Sequence, residues 1–307
     1  MGNRNVSTAK RKAHRPYQWM YLGMILPGII FIFIFNYLPM GGLVMAFQRF
    51  KPAKGIFRSE WVGLYNFQRL FLKNDIQQLL RNTLVISLGK IVIGNLTAII
   101  FAILLNEINR RRLKKCIQTV TYLPHFLSWV VLGPIVYNML GMDGALNVAL
   151  KNMGLETVNL LGSNATFQGT IVGTHVWKEF GYTSIVYLAA ITGVDPGLHE
   201  AAAIDGANWW KRTLHVTLQA MMPMIILRLA IDVGSVLSAG FDQVYNLYNA
   251  RVYDTGDILD TYVYRIGLEG REFSLGTAVG LFKSVIGLTL MLLVNGFSVK
   301  VLHRSVF

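Results

Sequence analysis

Long apolar runs separated by short polar connections dominate the chain, and their lengths decide the class of fold. The first run, Trp19 to Phe47, holds 29 residues without a charge. A helix crosses the hydrocarbon core with about 20 apolar residues at 1.5 Å rise each. Five similar runs follow, at roughly Asn82 to Leu105, Cys116 to Met142, Thr166 to Gly193, Ala220 to Phe241 and Phe273 to Val299. Backbone in lipid must satisfy its own hydrogen bonds, so runs of this length predict helices and not strands. The pattern predicts an all-α membrane protein with six transmembrane helices. Arg4, Lys10, Arg11, Lys12 and Arg15 precede the first run as in a secretory signal, but the run is too long for one and reads as a retained span.

Composition agrees. Of 307 residues 53% are hydrophobic and 15% charged, which excludes most soluble enzymes. The net charge of +13 does not form a stripe on a polar domain, as nucleic-acid binding requires, but sits at the ends of the apolar runs. Fourteen Lys and Arg fall in the N-terminal tail, Arg110 to Lys115, Lys211, Arg212 and the C-terminal tail, against ten spread over longer opposite loops. Cytoplasmic connections carry the excess of such residues, so both termini are placed in the cytoplasm of a bacterial cell membrane. Six basic residues between 48 and 78 run against that trend. Pro27, Pro39, Pro124, Pro134 and Pro223 mark sites where helices kink or start. A single cysteine, Cys116, excludes an internal disulfide and any cysteine-based metal or redox motif.

The chain divides into a cytoplasmic tail at 1–18, a first span with an external segment at 19–78, a membrane core at 79–299 with a cytoplasmic loop at 195–217, and a tail at 300–307. Trp61, Leu64, Tyr65, Phe67, Leu70 and Phe71 have the spacing of an interfacial amphipathic helix. Residues 141–167 and 245–272 mix turn residues with apolar anchors, consistent either with ordered caps that receive a partner or with plain connectors.

The loop between the fourth and fifth runs has its own logic. Asp195 can cap a helix that begins at Pro196, where a missing N–H costs least. Ala201, Ala202 and Ala203 keep that helix thin, so another backbone can approach it. Gly206 can adopt positive φ, and Asn208 can cap a second short helix carrying Trp209, Trp210 and Leu214. A helix, a bend and a helix at the cytoplasmic face form a lever suited to taking force from a soluble partner.

Glu200, Ala201, Ala202, Asp205, Gly206 and Ala207 resemble the Glu-Ala-Ala-x-x-Asp-Gly-Ala loop of the membrane subunits of binding-protein-dependent ABC importers. Phe35–Asn36–Tyr37–Leu38–Pro39, Asn82–Thr83–Leu84, Tyr122–Leu123–Pro124 and Asp260 to Arg265 are similar to the carbohydrate permeases that handle complex oligosaccharides and polysaccharide fragments. The family's Leu-Pro before the fifth span is Leu218–Gln219 here, which implies a less sharply bent entry. The resemblance implies a type I ABC importer permease bundle whose six loop residues dock into a separate ATPase. The implied partners are a second permease chain, an ATP-binding subunit dimer, an extracytoplasmic solute-binding protein, a saccharide and membrane lipid. ATP and magnesium would sit on the ATPase; no cofactor is expected on this chain, which has no phosphate loop of the G-x-x-x-x-G-K-[ST] form.

Ionisable residues inside spans are costly and are candidates for the solute path. They are Lys90, Lys178, Glu179, Arg228, Asp232 and Lys283. Arg228 and Asp232 share a helical face, where they either neutralise one another or line a path. Lys178 and Glu179, being adjacent, are expected on different faces, with at least one pointing inward. Sugars are recognised by aromatic faces and planar polar groups. Tyr137 with Asn138, Trp177 with Tyr182, and Gln243 with Asn246 are candidates, although Trp and Tyr also populate membrane interfaces. The six histidines form no H-E-x-x-H motif, and His199–Glu200 is no zinc site. No clustered nucleophile and base suggest an enzyme. The rival readings are an ion-driven secondary transporter using Lys178, Glu179 and Asp232, and an ABC permease for a non-sugar solute.

Overall fold

The computed structural model describes residues 18–72 and 75–302; both extreme tails and Lys73 lie outside the described residues. Among those described, five helices are long and apolar enough to cross a membrane: Trp19–Phe47, Ile76–Asn106, Trp129–Asn152, Trp209–Gly234 and Phe273–Gly296. The fourth run forms an unbroken helix, Phe167–Thr192, which has the length but is less apolar. It is the central helix of the bundle. Its polar side chains Lys178 and Ser184 are buried and face protein, not lipid.

The second span, Asp75–Asn106, lies along that central helix. Gly89 makes the contact possible: a Cβ there would sit 2.9 Å from Val172. Small residues at such crossings let backbones approach where no hydrophobic effect drives helices together. At one end Ala98, Ala102, Tyr187, Ile191, Met221 and Ile225 form a cluster. At the other, Ile86, Phe167, Leu247, Val252 and Ile258 are fully buried. The connections at 107–110 and 193–217 share the first end, and the long loops share the second. Those loops are ordered caps: Asn147 folds the first on itself through backbone bonds to Val158, and Asn249 ties the second to it by donating to Leu161 O.

Two runs and the external segment differ from their expected form. Cys116 to Met142 is not one helix: Arg111–Tyr122 ends in a 3₁₀ turn at Leu123–Phe126, the chain extends through Leu127 and Ser128, and a new helix starts at Trp129. Pro124 supplies no N–H to continue the ladder. The fifth helix runs Leu218–Gly234 and unwinds before Phe241. Its start lies earlier than Ala220, because Trp209–Arg212 passes through a π-helical turn, Thr213–Thr217, directly into it. The second short helix of the lever is therefore the end of a membrane span. In the external segment only Tyr65–Leu72 is helical, while Trp61 lies in a two-residue antiparallel ribbon facing Gln48. Asn66 fastens that helix to the ribbon by donating to the carbonyls of Ala46 and Gln48.

Candidate functional site

The lever between the fourth and fifth spans is built by local rules. The Asp195 carboxylate accepts from the Gly197 N–H at 2.9 Å, and Pro196 opens the helix Pro196–Ile204. Its far end closes with Gly206 N–H donating to Ala203 O and Ala207 N–H donating to Ala202 O, while Gly206 holds φ at +79°. That crossed pair of bonds needs a left-handed residue at Gly206, where a Cβ is penalised. Asn208 then accepts from Lys211 N–H at 3.0 Å and caps the helix that becomes the fifth span.

The helix Pro196–Ile204 buries none of its residues against the rest of the chain. Glu200, Ala201, Asp205 and Gly206 are exposed, with Ala202 and Ala207 half-buried. Ile204 is 87% exposed and Trp210 72%. An apolar surface at the bend thus stands without a partner among the described residues.

The second feature lies mid-bundle, where both broken spans pass the two unbroken ones. Lys178 of the central helix, 7% exposed, donates to the free carbonyl of His125 at 2.9 Å and to Glu179 at 2.8 Å. Lys90 of the second span, also 7% exposed, donates to the carbonyl of Ala239 at 2.6 Å, in the unwound stretch after the fifth helix. An unpaired buried carbonyl costs about 1–3 kcal/mol. Each break is thus stabilised by a lysine from an intact neighbouring helix. Lys178 and Glu179 bond one another although they are adjacent in sequence.

Between these breaks lies a polar cavity of about 240 Å³, lined by residues that include Ser87, Lys90, His175, Glu179, Arg228 and Asp232. Glu179 also meets His125 Nδ1 at 2.7 Å. Arg228 pairs with Asp232 at 3.0 Å, one turn apart, as the neutralising reading expects. Asp232 in addition accepts from Asn95 at 2.8 Å, and Tyr187 donates to Asn95 at 2.5 Å, which links the second, fourth and fifth spans. Lys283 lies elsewhere, 2.5 Å from Asp260.

The sequence-based lining candidates divide. Glu179 and Asp232 line the cavity, with Lys178 behind Glu179. Trp177 instead lines an apolar hollow of about 590 Å³ between the central helix and Trp129–Leu140. Tyr182 stacks flat on His125, rings 3.7 Å apart. Gln243 is buried, donating to Ile171 O and Thr174. Asn246 packs against Gly133, Tyr137 donates to Leu247 O, and Asn138 is exposed. Ser87, Asn95 and His175 also line the cavity and lie outside those candidates. A signal was present: Ser87, Lys90, Gly94 and Asn95 form a polar stripe at helical spacing on an otherwise apolar span.

A chain of rings leads outward from the cavity rim at Gly240. Phe241 stacks on Tyr245 at 5.2 Å, Tyr245 meets Tyr264 at 4.8 Å and Tyr248 at 6.1 Å, and Tyr248 meets Tyr253 at 5.2 Å. The Arg265 guanidinium lies 4.8 Å from the Tyr253 ring centre and pairs with Asp257. Burial works against its charge, yet Asp257 beside it holds the group above its usual value.

A family model for the binding-protein-dependent transport system inner membrane component matches residues 94–306. The polygalacturonan/rhamnogalacturonan transport system permease protein YteP of Bacillus subtilis is 42% identical over 94% of this chain and 90% of its own. Protein LplB of the same organism is 38% identical over 94% of this chain and 91% of its own. Among solved structures, a bacterial ABC transporter involved in import of the acidic polysaccharide alginate superposes with a TM-score of 0.85 at 36% identity, covering 93% of this chain and 97% of that one. A bacterial alginate ABC transporter in complex with an alginate pentasaccharide-bound periplasmic protein gives 0.86 at 34% identity, covering 94% and 97%.

Proposed function

Because the chain belongs to the family of binding-protein-dependent transport system inner membrane components, we propose that it forms half of the pathway through which an oligosaccharide enters a cell, driven by a separate ATPase. It is a multi-pass membrane permease of the sugar ABC importers, and this membership favours the ATP-driven reading over an ion-driven one. The finer assignments go further. A second permease chain completes the path, an ATPase pair carrying ATP and magnesium meets Glu200 to Ala207, and an extracytoplasmic binding protein delivers the saccharide. Both termini lie in the cytoplasm.

One observation carries the coupling assignment. The exposed helix Pro196–Ile204 joins a membrane span through the single left-handed residue Gly206. A push on that helix reaches the fifth span without any flexible linker between them. The fifth span in turn contributes Arg228, Asp232 and the unwound carbonyl of Ala239 to the cavity wall. ATP binding would thereby swing the lever and open the cavity outward, and hydrolysis would reset it. The stacked rings from Phe241 to Tyr253 support a saccharide as cargo, since sugar C–H faces stack on aromatic rings.

The test is ATP-dependent uptake of labelled oligosaccharide by the complete complex in liposomes, with and without binding protein. Gly206→Pro and Glu200→Lys are expected to abolish uptake and uncouple ATPase stimulation while both chains still insert. Normal uptake in both variants refutes the lever.

A further inference from the structure

The charges around the cavity do not balance. Glu179 is answered by Lys178 and His125, and Asp232 by Arg228 and Asn95. Lys90 has no carboxylate partner among the described residues, although it is buried at the depth where an isolated ammonium is costly. Its bond to Ala239 O occupies one of three N–H donors. Room for the head group comes from Gly240, where a Cβ would stand 3.0 Å from the lysine nitrogen. Lys90 lines the cavity, and its remaining donors have no hydrogen-bond acceptor among the described residues.

Two neighbours share this unspent capacity. Ser87, one turn earlier on the same helix, is 3% exposed, and its buried Oγ has no hydrogen-bond partner. His175 reaches the cavity from the facing central helix, and no described residue hydrogen-bonds its ring. Native proteins leave few buried polar groups unsatisfied, and the unpartnered Ser87 Oγ beside the spare donors of Lys90 and the unbonded ring of His175 points to a missing ligand. That ligand must bring negative charge for Lys90 and hydroxyl groups for Ser87 and His175. At about 240 Å³ the hollow has room for a single sugar ring.

We propose that Lys90, Ser87 and His175 form a subsite for the carboxylate-bearing ring of an acidic sugar, a uronic acid unit of the passing oligosaccharide. This rests on the saccharide-permease reading and narrows it. Lys90 supplies a charge-assisted bond to the carboxylate, and the serine and histidine bond the ring hydroxyls. The flanking Glu179 and Asp232 are each bonded to another cation, which leaves Lys90 as the cation of the cavity wall with no ion pair among the described residues.

The experiment compares the complete transporter with Lys90→Gln, Lys90→Arg and Ser87→Ala forms in liposomes. The probes are trigalacturonate and its neutral counterpart galactotriose, and each variant is first shown to assemble with its partner subunits. The expected result is that Lys90→Gln lowers trigalacturonate uptake about tenfold or more relative to galactotriose, Lys90→Arg restores the preference, and Ser87→Ala weakens uptake of both probes by a smaller factor. Equal losses for the two probes in Lys90→Gln would mean a packing role at the Ala239 break and would overturn the subsite. So would unchanged trigalacturonate uptake, or a failure of Lys90→Gln to assemble combined with unchanged uptake in Ser87→Ala. Absence of ATP-dependent uptake of either sugar by the wild-type complex would refute the permease reading itself and remove the subsite with it.

Discussion

Replacing Lys178 by methionine tests whether buried lysines hold the broken spans. The side chain is 7% exposed, and its ammonium serves the His125 carbonyl at 2.9 Å and the Glu179 carboxylate at 2.8 Å. Methionine fills similar volume but donates nothing. Glu179 would then keep only His125, and the carbonyl at the break would lose its donor. Removing one partner of a buried ion pair costs about 3–5 kcal/mol. At roughly 2–4 °C per kcal/mol for domains of 150–250 residues, the midpoint should fall by about 6–20 °C. The assay is thermal unfolding of the purified chain in lipid nanodiscs. The double variant Lys178→Met with Glu179→Gln should recover much of the loss, because no buried carboxylate is then left uncompensated. A Lys178→Met midpoint equal to wild type, or losses that add in the double variant, would refute the reasoning.

Arg69→Ala removes a pair with Glu272 at the outer end, 2.7 Å apart but more than a third exposed on both sides; the expected loss is below about 1 kcal/mol, read in the same unfolding assay. Gly181→Ala places a Cβ 2.3 Å from the Thr121 carbonyl oxygen, so the third and fourth spans must separate, whereas Gly169→Ala meets nothing within 4 Å; protease resistance in lipid should fall for the first and not the second. Asn208→Ala removes the cap of the fifth span at a cost of about 1 kcal/mol, and amide exchange at Lys211 should quicken while exchange at Ile225 stays unchanged.

The lever was legible because its determinants are local. Asp195, Pro196, Gly206 and Asn208 act on backbone within three residues of themselves, and each sits where its chemistry requires. The breaks were legible only in part: Pro124 marks the first, and nothing so local marks the second. What makes the interruption at Leu127 and Ser128 tolerable is Lys178, 53 positions away in sequence from His125. The fifth span was displaced for the opposite reason. Lys211, Arg212 and His215 lower the apolarity of a segment that is helical, while apolar residues after Gly234 belong to one that is not. Run length measures the affinity of a segment for lipid, and hydrogen bonds from elsewhere in the bundle decide whether it stays wound. Side-chain type alone does not say which way Trp177 and Gln243 face: Trp177 lines an apolar hollow with Ile135, and Gln243 donates to Ile171 O, both partners distant in sequence.

The central claim is that an outside motor pushes on the bend at Gly206. Substituting Cys116, the sole cysteine, by serine and placing a cysteine at Ile204, the most exposed apolar position of the bend, gives a single reporter for cross-linking in cells. The account predicts capture of a nucleotide-binding ATPase subunit at Ile204→Cys, altered by nucleotide state, and none from a cysteine at Val148 on the opposite face. Equal labelling at both positions, or capture of no ATPase at Ile204→Cys in cells that import the saccharide, would contradict it.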